Sequence, residues 1–268
     1  MRIISANVNG IRAAARRGGM EWMTQWRPDV VTLQEVRADE QQLGKVLGEA
    51  GMGDWHVAHA PSRQAGRSGV AILSRRTGFS DVRIGLSALP ADSPGDSGRW
   101  IEVDLETSGG PVTLVSTYVP TGEADTARQD EKYRFLDAMH ARMSHLLSRG
   151  PTLVTGDLNV AHREVDIKNW RGNLKKAGFL PAERAYLDRW TQDGGWVDAG
   201  RRFGGPGPGP YTWWSWRGKA FDNDAGWRID YALATPDVAT RLTSVSVGRA
   251  ASYAQRWSDH AALVMDLG

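Results

Sequence analysis

Short apolar runs that end in polar residues constrain the fold of this chain more than any other feature of its sequence. The clearest run begins at Leu153 and passes into the sequence GDLN at residues 156–159. A run of this kind is typical of a buried strand, and because side chains alternate along an extended chain, Asp157 and Asn159 are predicted to share a face. A carboxylate beside an amide is suited to holding and deprotonating a water molecule. For this pair alone, an Asx turn that closes the strand is the alternative interpretation.

The same pattern recurs along the chain, because other apolar runs also have a polar residue at or near their ends. These residues are Asn7, Glu35, Tyr118, Asp230 and the adjacent pair Asp259 and His260. Each has a structural alternative: Glu35 could cap the next helix, Asp259 could lie in a turn, and His260 could be a structural histidine. Strand ends along one edge of a sheet converge in space, however, so the set together predicts a polar site at such an edge.

Predicted strands and helices alternate throughout the chain, which favours a single α/β domain over residues 1–268. Residues 11–26 are predicted to form one helix, and a capping box of Thr126 and Gln129 is predicted to open another. Two segments rich in glycine and proline, residues 89–98 and 203–210, are predicted to be loops. No shift in composition between these elements resembles a linker between domains.

The available residue types restrict the chemistry. The chain has no cysteine, which excludes disulfides, thiolate nucleophiles and cysteine-based zinc or iron–sulfur sites. Carboxylates and amides without thiols favour Mg²⁺ or Mn²⁺ as a bound metal. One histidine among carboxylates and a tyrosine suits phosphoester cleavage, in which charge on the phosphate oxygens must be stabilised. There is no Gly-x-Ser-x-Gly motif, P-loop or Gly-x-Gly-x-x-Gly motif, which disfavours a serine hydrolase, a kinase and a nucleotide-binding fold.

Charge and hydropathy bear on partners and location. The net charge of +2 and an isoelectric point near 9.0 mildly favour a polyanionic partner. The amino-terminal sequence lacks the apolar segment of a signal peptide, and no run approaches the roughly 18 apolar residues of a membrane helix. We therefore expect a cytoplasmic protein without a membrane partner, associated with the nucleoid if its source is bacterial. We also expect a monomer.

Seven short motifs occur in a fixed order. They are ANVNGIR (6–12), LQEVR (33–37), TYVP (117–120), GDLNVAH (156–162), DIKN (166–169), RIDY (228–231) and SDHA (258–261). Together they resemble the exonuclease III family of apurinic-apyrimidinic endonucleases, within the endonuclease/exonuclease/phosphatase superfamily, and the resemblance extends from Arg2 to Leu267. It implies a DNase I-like, four-layer α/β/β/α sandwich, in which two packed mixed sheets are flanked by helices.

The resemblance also implies a metal and a water-activating pair. Glu35, with Asp259 nearby, would hold Mg²⁺, or Mn²⁺ in its place, and Asn7 would contribute on that side. Asp157 would activate or position the attacking water, and Asn159 would orient the water and the phosphate.

Three further residues would act on the phosphate itself. His260 would bind the scissile phosphate, and Asp230 would hold the imidazole in its tautomer. Tyr118 would contact the phosphate or help the leaving group. The implied reaction cuts duplex DNA 5′ to an abasic site and leaves a 3′-hydroxyl, with related 3′-5′ exonuclease and 3′-phosphodiesterase or phosphatase activity on blocked 3′ ends.

Substrate contacts follow from the same resemblance. Trp213, Trp227 and Ile229 would line an apolar pocket for a flipped sugar without its base, although burial in the core is the alternative for each. Contacts to backbone phosphates are implied for Arg12, Arg37, Asn169, Asn173 and Lys175. For these residues a solvated surface position is the alternative, and Arg12 could equally pair with a carboxylate.

Two segments depart from the family's pattern. The motif TYVP is usually followed by Asn or Gln, but here Thr121 follows it and no basic residue occurs before Arg128. How the loop at residues 121–124 fills the gap in the DNA is therefore open. The loop at residues 203–210 is longer and richer in glycine and proline than the pattern suggests.

Three alternatives to an abasic-site endonuclease stay open from the sequence. The enzyme could be mainly a 3′-5′ exodeoxyribonuclease, or a phosphodiesterase of the same fold that acts on RNA, inositol phosphates or sphingomyelin, or a non-catalytic DNA-binding module. Trp213, Trp227 and the segment from DIKN to AGF favour the DNA branch. The intact set of carboxylates, amide and histidine disfavours a non-catalytic module, which would need none of them.

Overall fold

The apolar runs form strands in the computed structural model, which describes residues 1–89 and 97–268. The strands are β1 (Arg2–Asn7), β2 (Val30–Gln34), β3 (His56–Ala60), β4 (Val70–Ser74), β5 (Phe79–Ile84), β6 (Trp100–Thr107), β7 (Gly110–Tyr118), β8 (Thr152–Asp157), β9 (Val197–Asp198), β10 (Asp230–Ala234), β11 (Leu242–Gly248) and β12 (Ala262–Leu267). The helices are α1 (Ile11–Arg16), α2 (Gly19–Gln25), α3 (Glu40–Glu49), α4 (Ala127–Arg149), α5 (Pro181–Asp188), α6 (Ala199–Gly204) and α7 (Pro236–Arg241). Short 3₁₀ turns lie at Glu164–Asp166, Trp170–Asn173 and Tyr253–Gln255, and a π-helical turn lies at Arg189–Asp193.

The strands of the described part of the chain form two six-stranded sheets. Their orders are β11-β12-β1-β2-β4-β3 and β5-β6-β7-β8-β10-β9. Each sheet contains one parallel pair, β1 with β2 and β7 with β8, and the other named pairings are antiparallel. Both sheets are therefore mixed, as the sequence resemblance implied.

Neighbouring residues of a strand bury their side chains in different layers. Ile3 and Leu153 belong to an apolar cluster between the two sheets, together with residues of β4, β6 and β12. Ile4 packs against α1, α2 and α3 on the outer face of the first sheet, and Val154 packs against α4 and α5 on the outer face of the second. Strands covered on both faces read as continuous apolar runs. The predicted four-layer α/β/β/α sandwich is confirmed.

The layer between the sheets becomes polar toward one edge. Thr32 Oγ1 and Thr155 Oγ1 lie 2.7 Å apart across the two sheets, and Gln34 Nε2 donates to Ser116 Oγ at 2.9 Å. Buried polar groups need such partners, so these contacts fix the relative position of the sheets. The polar layer leads directly to the predicted site.

Three local predictions differ from the structure. The helix predicted over residues 11–26 is divided into α1 and α2, because Gly18 adopts φ 82°, which does not continue a right-handed helix. Thr126 caps α4 by accepting from the backbone N–H of Arg128, but Gln129 donates to Glu183 and does not complete a capping box. Of the predicted loop at 203–210, the first two residues belong to α6.

In the predicted loop at residues 89–98, residues 90–96 lie outside the described residues. Over residues 1–89 and 97–268, no helix is long and apolar enough to cross a membrane.

Candidate active site

The carboxyl ends of the two parallel strand pairs meet at the same edge of the sandwich. Asn7 and Asp157 end β1 and β8, Tyr118 ends β7, and Glu35 directly follows β2. The first sheet thus supplies Asn7 and Glu35, and the second supplies Tyr118 and Asp157. The polar residues that the sequence places after apolar runs are brought together because parallel strands end at the same edge.

Two further residues reach this edge from antiparallel neighbours. Asp230 begins β10 and pairs in register with Asp157 of β8, and His260 lies just before β12, which pairs with β1. These two residues stand at strand beginnings, whereas the sequence pattern suggested strand ends. An antiparallel neighbour begins where its partner ends, so the outcome for the site is the same.

Asn7 connects carboxylates that belong to different sheets. Its amide Nδ2 donates to Glu35 Oε1 at 2.9 Å and to Asp157 Oδ2 at 3.0 Å. Its Oδ1 accepts from the backbone N–H of Asn9 at 3.0 Å. The amide nitrogen, and not the oxygen, therefore faces the two carboxylates. A contribution of Asn7 to metal binding stays a prediction.

His260 is buried between two carboxylates. Its Nδ1 lies 2.9 Å from Asp230 Oδ2, and its Nε2 lies 3.7 Å from Asp157 Oδ2. Burial alone would lower the pKa of His260, but Asp230 and Asp157 outweigh it and raise the pKa to about 10. The imidazole is therefore held as a cation with one nitrogen directed at each carboxylate.

Asp157 is buried among charges of the same sign. Burial raises the pKa of its carboxyl to about 8, with further increases from Asp230 and Glu35, while His260 acts in the opposite direction. Metal-free, the group therefore holds or shares a proton near neutral pH. A carboxyl with a pKa in this range is matched to proton transfer.

Asn159 contacts Asp157 through a turn that follows β8. Its backbone N–H donates to Asp157 Oδ1 at 2.8 Å, and its Nδ2 lies 2.9 Å from Val119 O and 3.3 Å from Asp157 Oδ2. Asn159 has φ 51°, a left-handed conformation. The two side chains meet because of this Asx turn and not because of strand alternation, so the structural and functional interpretations of the pair are compatible.

A group of ligand atoms is close enough to hold a metal ion. One ligand atom each from Glu35, Asp157 and His260 lie within 4.8 Å of one another. Asp259, predicted as a metal ligand, accepts from Asn9 Nδ2 at 2.6 Å and from Trp213 Nε1 at 3.2 Å. Because His260 is held as a cation, the available ligands are carboxylate oxygens, which fit a hard divalent cation such as Mg²⁺ or Mn²⁺.

Tyr118 is held in its protonated form. Burial, followed by the charges of Glu35 and Asp157, raises the pKa of its hydroxyl well above the usual value. The guanidinium of Arg99 lies 4.8 Å from the ring centroid, and Arg99 Nη1 donates to Tyr118 O at 3.2 Å. The hydroxyl can therefore act as a hydrogen-bond donor at neutral pH.

A cavity of about 320 Å³ adjoins these groups. Its lining includes Trp213, Trp227, Ile229, Glu35, Arg37, Tyr118, Thr121, Asn159, Ala177, Gly178 and Asp259. The rings of Trp213 and Trp227 are perpendicular, with centroids 6.1 Å apart. The structure thus joins the predicted apolar pocket to members of the predicted catalytic and metal-binding sets.

The predicted phosphate contacts are divided between the cavity and the surface. Arg37 lines the cavity and pairs with Glu35. Arg12 is exposed, and its Nη2 lies 3.4 Å from Arg37 O. Asn173 donates to Asn169 O at 2.9 Å. Like Arg12, the residues Asn169, Asn173 and Lys175 do not line this cavity, and phosphate binding by these four residues stays a prediction.

Several residues that support the site were not predicted. Asn9 binds Asp259, and Ser258 Oγ donates to Asn7 O at 2.8 Å. Asn9 lies in the motif ANVNGIR and Ser258 lies in the motif SDHA, so membership of these motifs was the available signal for their role. Asp166 of DIKN is fully buried and accepts from Arg228 Nε of RIDY at 2.6 Å. This ion pair joins two motifs that are distant in sequence.

Comparisons with known proteins agree with this arrangement. A sequence model described as the endonuclease/exonuclease/phosphatase family matches residues 4–260. The exodeoxyribonuclease of Bacillus subtilis (strain 168) is 30% identical over 248 residues, which cover 92% of this chain and 93% of that protein. The DNA repair nuclease APEX1 of Danio rerio is 32% identical over 271 residues, which cover 100% of this chain and 82% of that protein. A solved structure of the 3′ phosphatase NExo from Neisseria, bound to a product DNA hairpin, has a TM-score of 0.85 and 29% identity, with 100% and 99% of the two chains covered.

Proposed function

This chain belongs to the endonuclease/exonuclease/phosphatase family, and we propose that it is a DNA repair nuclease that cuts the backbone 5′ to abasic sites. One observation carries the proposal. The cavity lined by Trp213 and Trp227 also contains Glu35, Tyr118 and Asn159, so a sugar in the pocket would lie beside the polar cluster.

The lining of the cavity supports a substrate without a base. Two tryptophan rings and Ile229 form an apolar part of the cavity wall, next to the carboxylate of Asp259. A flipped deoxyribose can occupy such a pocket, while a nucleotide that keeps its base needs room for another ring. The relatives named as exodeoxyribonuclease and DNA repair nuclease support DNA as the substrate.

The side chains divide the chemical steps among them. Asp157 accepts a proton from the attacking water, and Asn159 orients that water and the phosphate. The His260 cation binds a non-bridging phosphate oxygen, with Asp230 fixing the imidazole. Tyr118 donates to the leaving 3′ oxygen. The product ends are a 3′-hydroxyl and a 5′ deoxyribose phosphate.

Glu35 is proposed as the main metal ligand, with Asp259 on the neighbouring wall, so that Asp157 keeps its role as the proton acceptor. Bound Mg²⁺, or Mn²⁺ in its place, would neutralise charge on the phosphate oxygens as it develops. The carboxylate donors fit this ion, and Asn7 keeps Glu35 and Asp157 at a fixed separation.

A second candidate function is 3′-end processing as the main activity. The similarity to the 3′ phosphatase from Neisseria favours it. In that case the enzyme would act as a 3′-5′ exodeoxyribonuclease and remove phosphate or blocking groups at 3′ ends. The apolar pocket of Trp213 and Trp227 gives no support to other substrates of the fold. A non-catalytic module is disfavoured because Asp157, Asn159, Asp230 and His260 form one cluster.

A panel of labelled substrates tests the proposal. It contains a duplex with one tetrahydrofuran abasic analogue, a duplex with a recessed 3′ end, a duplex with a 3′-phosphate and a matched RNA duplex. With Mg²⁺ we expect a nick 5′ to the analogue as the fastest reaction. If only 3′ ends are trimmed, the second candidate is correct. If none of the DNA substrates is cut, both are wrong.

Further properties are proposed with this function. Residues 1–268 act as one domain and as a monomer in the cytoplasm, on double-stranded DNA. Gel filtration with light scattering tests the oligomeric state, and a mass of twice the 29.4 kDa of the chain would contradict it.

A further inference from the structure

A fully buried ion pair lies behind the cavity. Lys132 of α4 and Glu183 of α5 both have side chains with 0% exposure, and Lys132 Nζ lies 2.6 Å from Glu183 Oε1. Lys132 Nζ also donates to Thr121 O at 3.1 Å and to Asn159 O at 2.9 Å. The ammonium has three hydrogens, and each has a partner.

The carboxylate of Glu183 is equally saturated. Its Oε1 accepts from Gln129 Nε2 at 2.9 Å, in addition to Lys132. Its Oε2 accepts from the backbone N–H groups of Gly178 at 2.7 Å and Leu180 at 3.0 Å. The pair therefore connects α4 and the start of α5 with the loops that follow β7 and β8.

The atoms held by this pair belong to the walls of the cavity. Thr121, Asn159 and Gly178 all line it, and each is held through a backbone atom. Gly178 packs closely against two other residues of the cavity wall, because a Cβ there would lie 3.0 Å from Cζ3 of Trp227 and 3.1 Å from Asn159 O. A shift of the ion pair would thus displace three residues of the cavity wall at once.

Stability alone does not account for such a pair. Replacing a buried ion pair by apolar residues of similar volume is often neutral or stabilising, because both charges lose their hydration on burial. The charged groups make directional hydrogen bonds here, because each hydrogen of Lys132 and each lone pair of Glu183 has one partner. The pair fixes distances between backbone segments.

We propose that Lys132 and Glu183 are positioning residues that set the width of the cavity and so exclude nucleotides that keep their base. This inference rests on the proposed abasic-site activity. The pair contacts neither the phosphate nor the sugar directly and acts through the backbone of Thr121, Asn159 and Gly178. The loop after TYVP, which departs from the family pattern, is held by the same lysine.

The test uses the double variant Lys132→Met/Glu183→Gln, which removes both charges and keeps the side-chain volumes similar. Two rates are measured on the same preparation: the nick 5′ to a tetrahydrofuran analogue and the removal of undamaged nucleotides from a recessed 3′ end. Their ratio does not depend on the folded fraction, so loss of stability alone cannot move it. We expect the ratio to fall at least about tenfold, because a wider cavity would admit nucleotides that keep their base and so raise their removal relative to the abasic nick.

A second ion pair on the same helix provides the control. Arg142 of α4 binds Glu102 through Nε at 2.6 Å and Nη2 at 2.5 Å, and neither residue lines the cavity. The double variant Arg142→Met/Glu102→Gln should lower Tm without changing the rate ratio. If the Lys132 double variant does not fold, Glu183→Asp is measured instead, because it keeps the charge that pairs with Lys132 but draws the carboxylate back by one methylene from the Gly178 N–H, and it should lower the ratio in the same direction.

The outcomes separate this inference from the proposed function. An unchanged ratio in the Lys132 and Glu183 variants, or an equal change in the control, overturns the positioning role while the nuclease assignment stands. Wild-type protein that cuts neither substrate overturns the proposed function and this inference together.

Discussion

The imidazole Nδ1 of His260 lies 2.9 Å from the carboxylate oxygen Oδ2 of Asp230. The Nδ1–H of the imidazole donates to Asp230, and Nε2 is directed at the polar cluster. Asp230 thereby controls both the orientation and the charge of the histidine, without itself facing the cavity.

Replacing Asp230 by Asn should keep the shape of the site but change the state of His260. The amide can donate to Nδ1 and stabilise the wrong tautomer, and it no longer supports the cation. We expect the rate of the abasic nick to fall by about 10²–10⁴-fold. Single-turnover cleavage measures this, and Asp237→Asn on the exposed start of α7 is the control. A loss of less than threefold in Asp230→Asn would show that the contact is not needed.

In the metal-free protein, the contribution of His260 and Asp157 to the free energy of unfolding should decrease as the pH rises. The pKa of His260 rises from 6.5 to about 10, so its contribution is complete below pH 6.5 and is lost as the pH passes through 10. The pKa of Asp157 rises from 3.8 to about 8, so a penalty for its charged form grows over that interval. Both effects have the same sign, because the folded site binds more protons than the unfolded chain.

Denaturant unfolding in EDTA between about pH 6.5 and pH 10 tests this dependence. The free energy of unfolding of the wild type should decrease with pH relative to the double variant Asp157→Asn/His260→Asn, in which neither group titrates. Parallel curves for the two proteins would contradict the assignment of these pKa values.

The hydrogen bond from Trp213 to Asp259 should matter for activity at limiting metal. Trp213→Phe removes the Nε1 donor, which lies 3.2 Å from Asp259 Oδ2, and keeps an aromatic ring in the pocket. We expect about a tenfold loss of activity at low Mg²⁺, since partners that orient a metal ligand typically contribute about 10–100-fold. The matched control is Trp214→Phe, which loses a donor to Asp224 at 3.1 Å. Equal effects of the two substitutions would rule out a special role for the Asp259 contact.

Arg228 should be among the residues most important for stability. Its guanidinium is buried and binds Asp166 at 2.6 Å and Asp198 at 2.8 Å. Arg228→Met leaves two carboxylates without this partner, and we expect a loss of about 3–5 kcal/mol in the free energy of unfolding. Denaturant titration measures the loss. Lys45→Met removes an exposed pair with Glu49 and should produce no measurable change. A similar small change in Arg228→Met would contradict the structural role of this network.

The convergence of Glu35, Asp157 and His260 could be predicted from the sequence, because it depends on strands and their ends. Apolar runs identify buried strands, and parallel strands must end at the same edge. Side chains alternate only within the strands, however, and not in the turns that follow them. Glu35 and Asn159 both have φ 51°, so turns and not strand geometry direct their side chains.

The supporting contacts could not be predicted in this way. Lys132 lies in a helix rich in charged residues, where a solvated position is the ordinary expectation, yet it is buried against Glu183 from a distant part of the chain. Such a contact depends on how two helices and two loops pack. Strands β3 and β5 were not predicted for a different reason. Both are edge strands, and their exposed residues interrupt the apolar pattern that marks a buried strand.

The most direct test of the account is single-turnover cleavage of a duplex with one tetrahydrofuran site by wild-type protein and by Asp157→Asn. The account predicts a nick 5′ to the analogue that requires Mg²⁺, disappears in EDTA and is slowed by about 10²–10⁴-fold in the variant. A variant that cuts at the wild-type rate, or a nick that persists in EDTA, would contradict it.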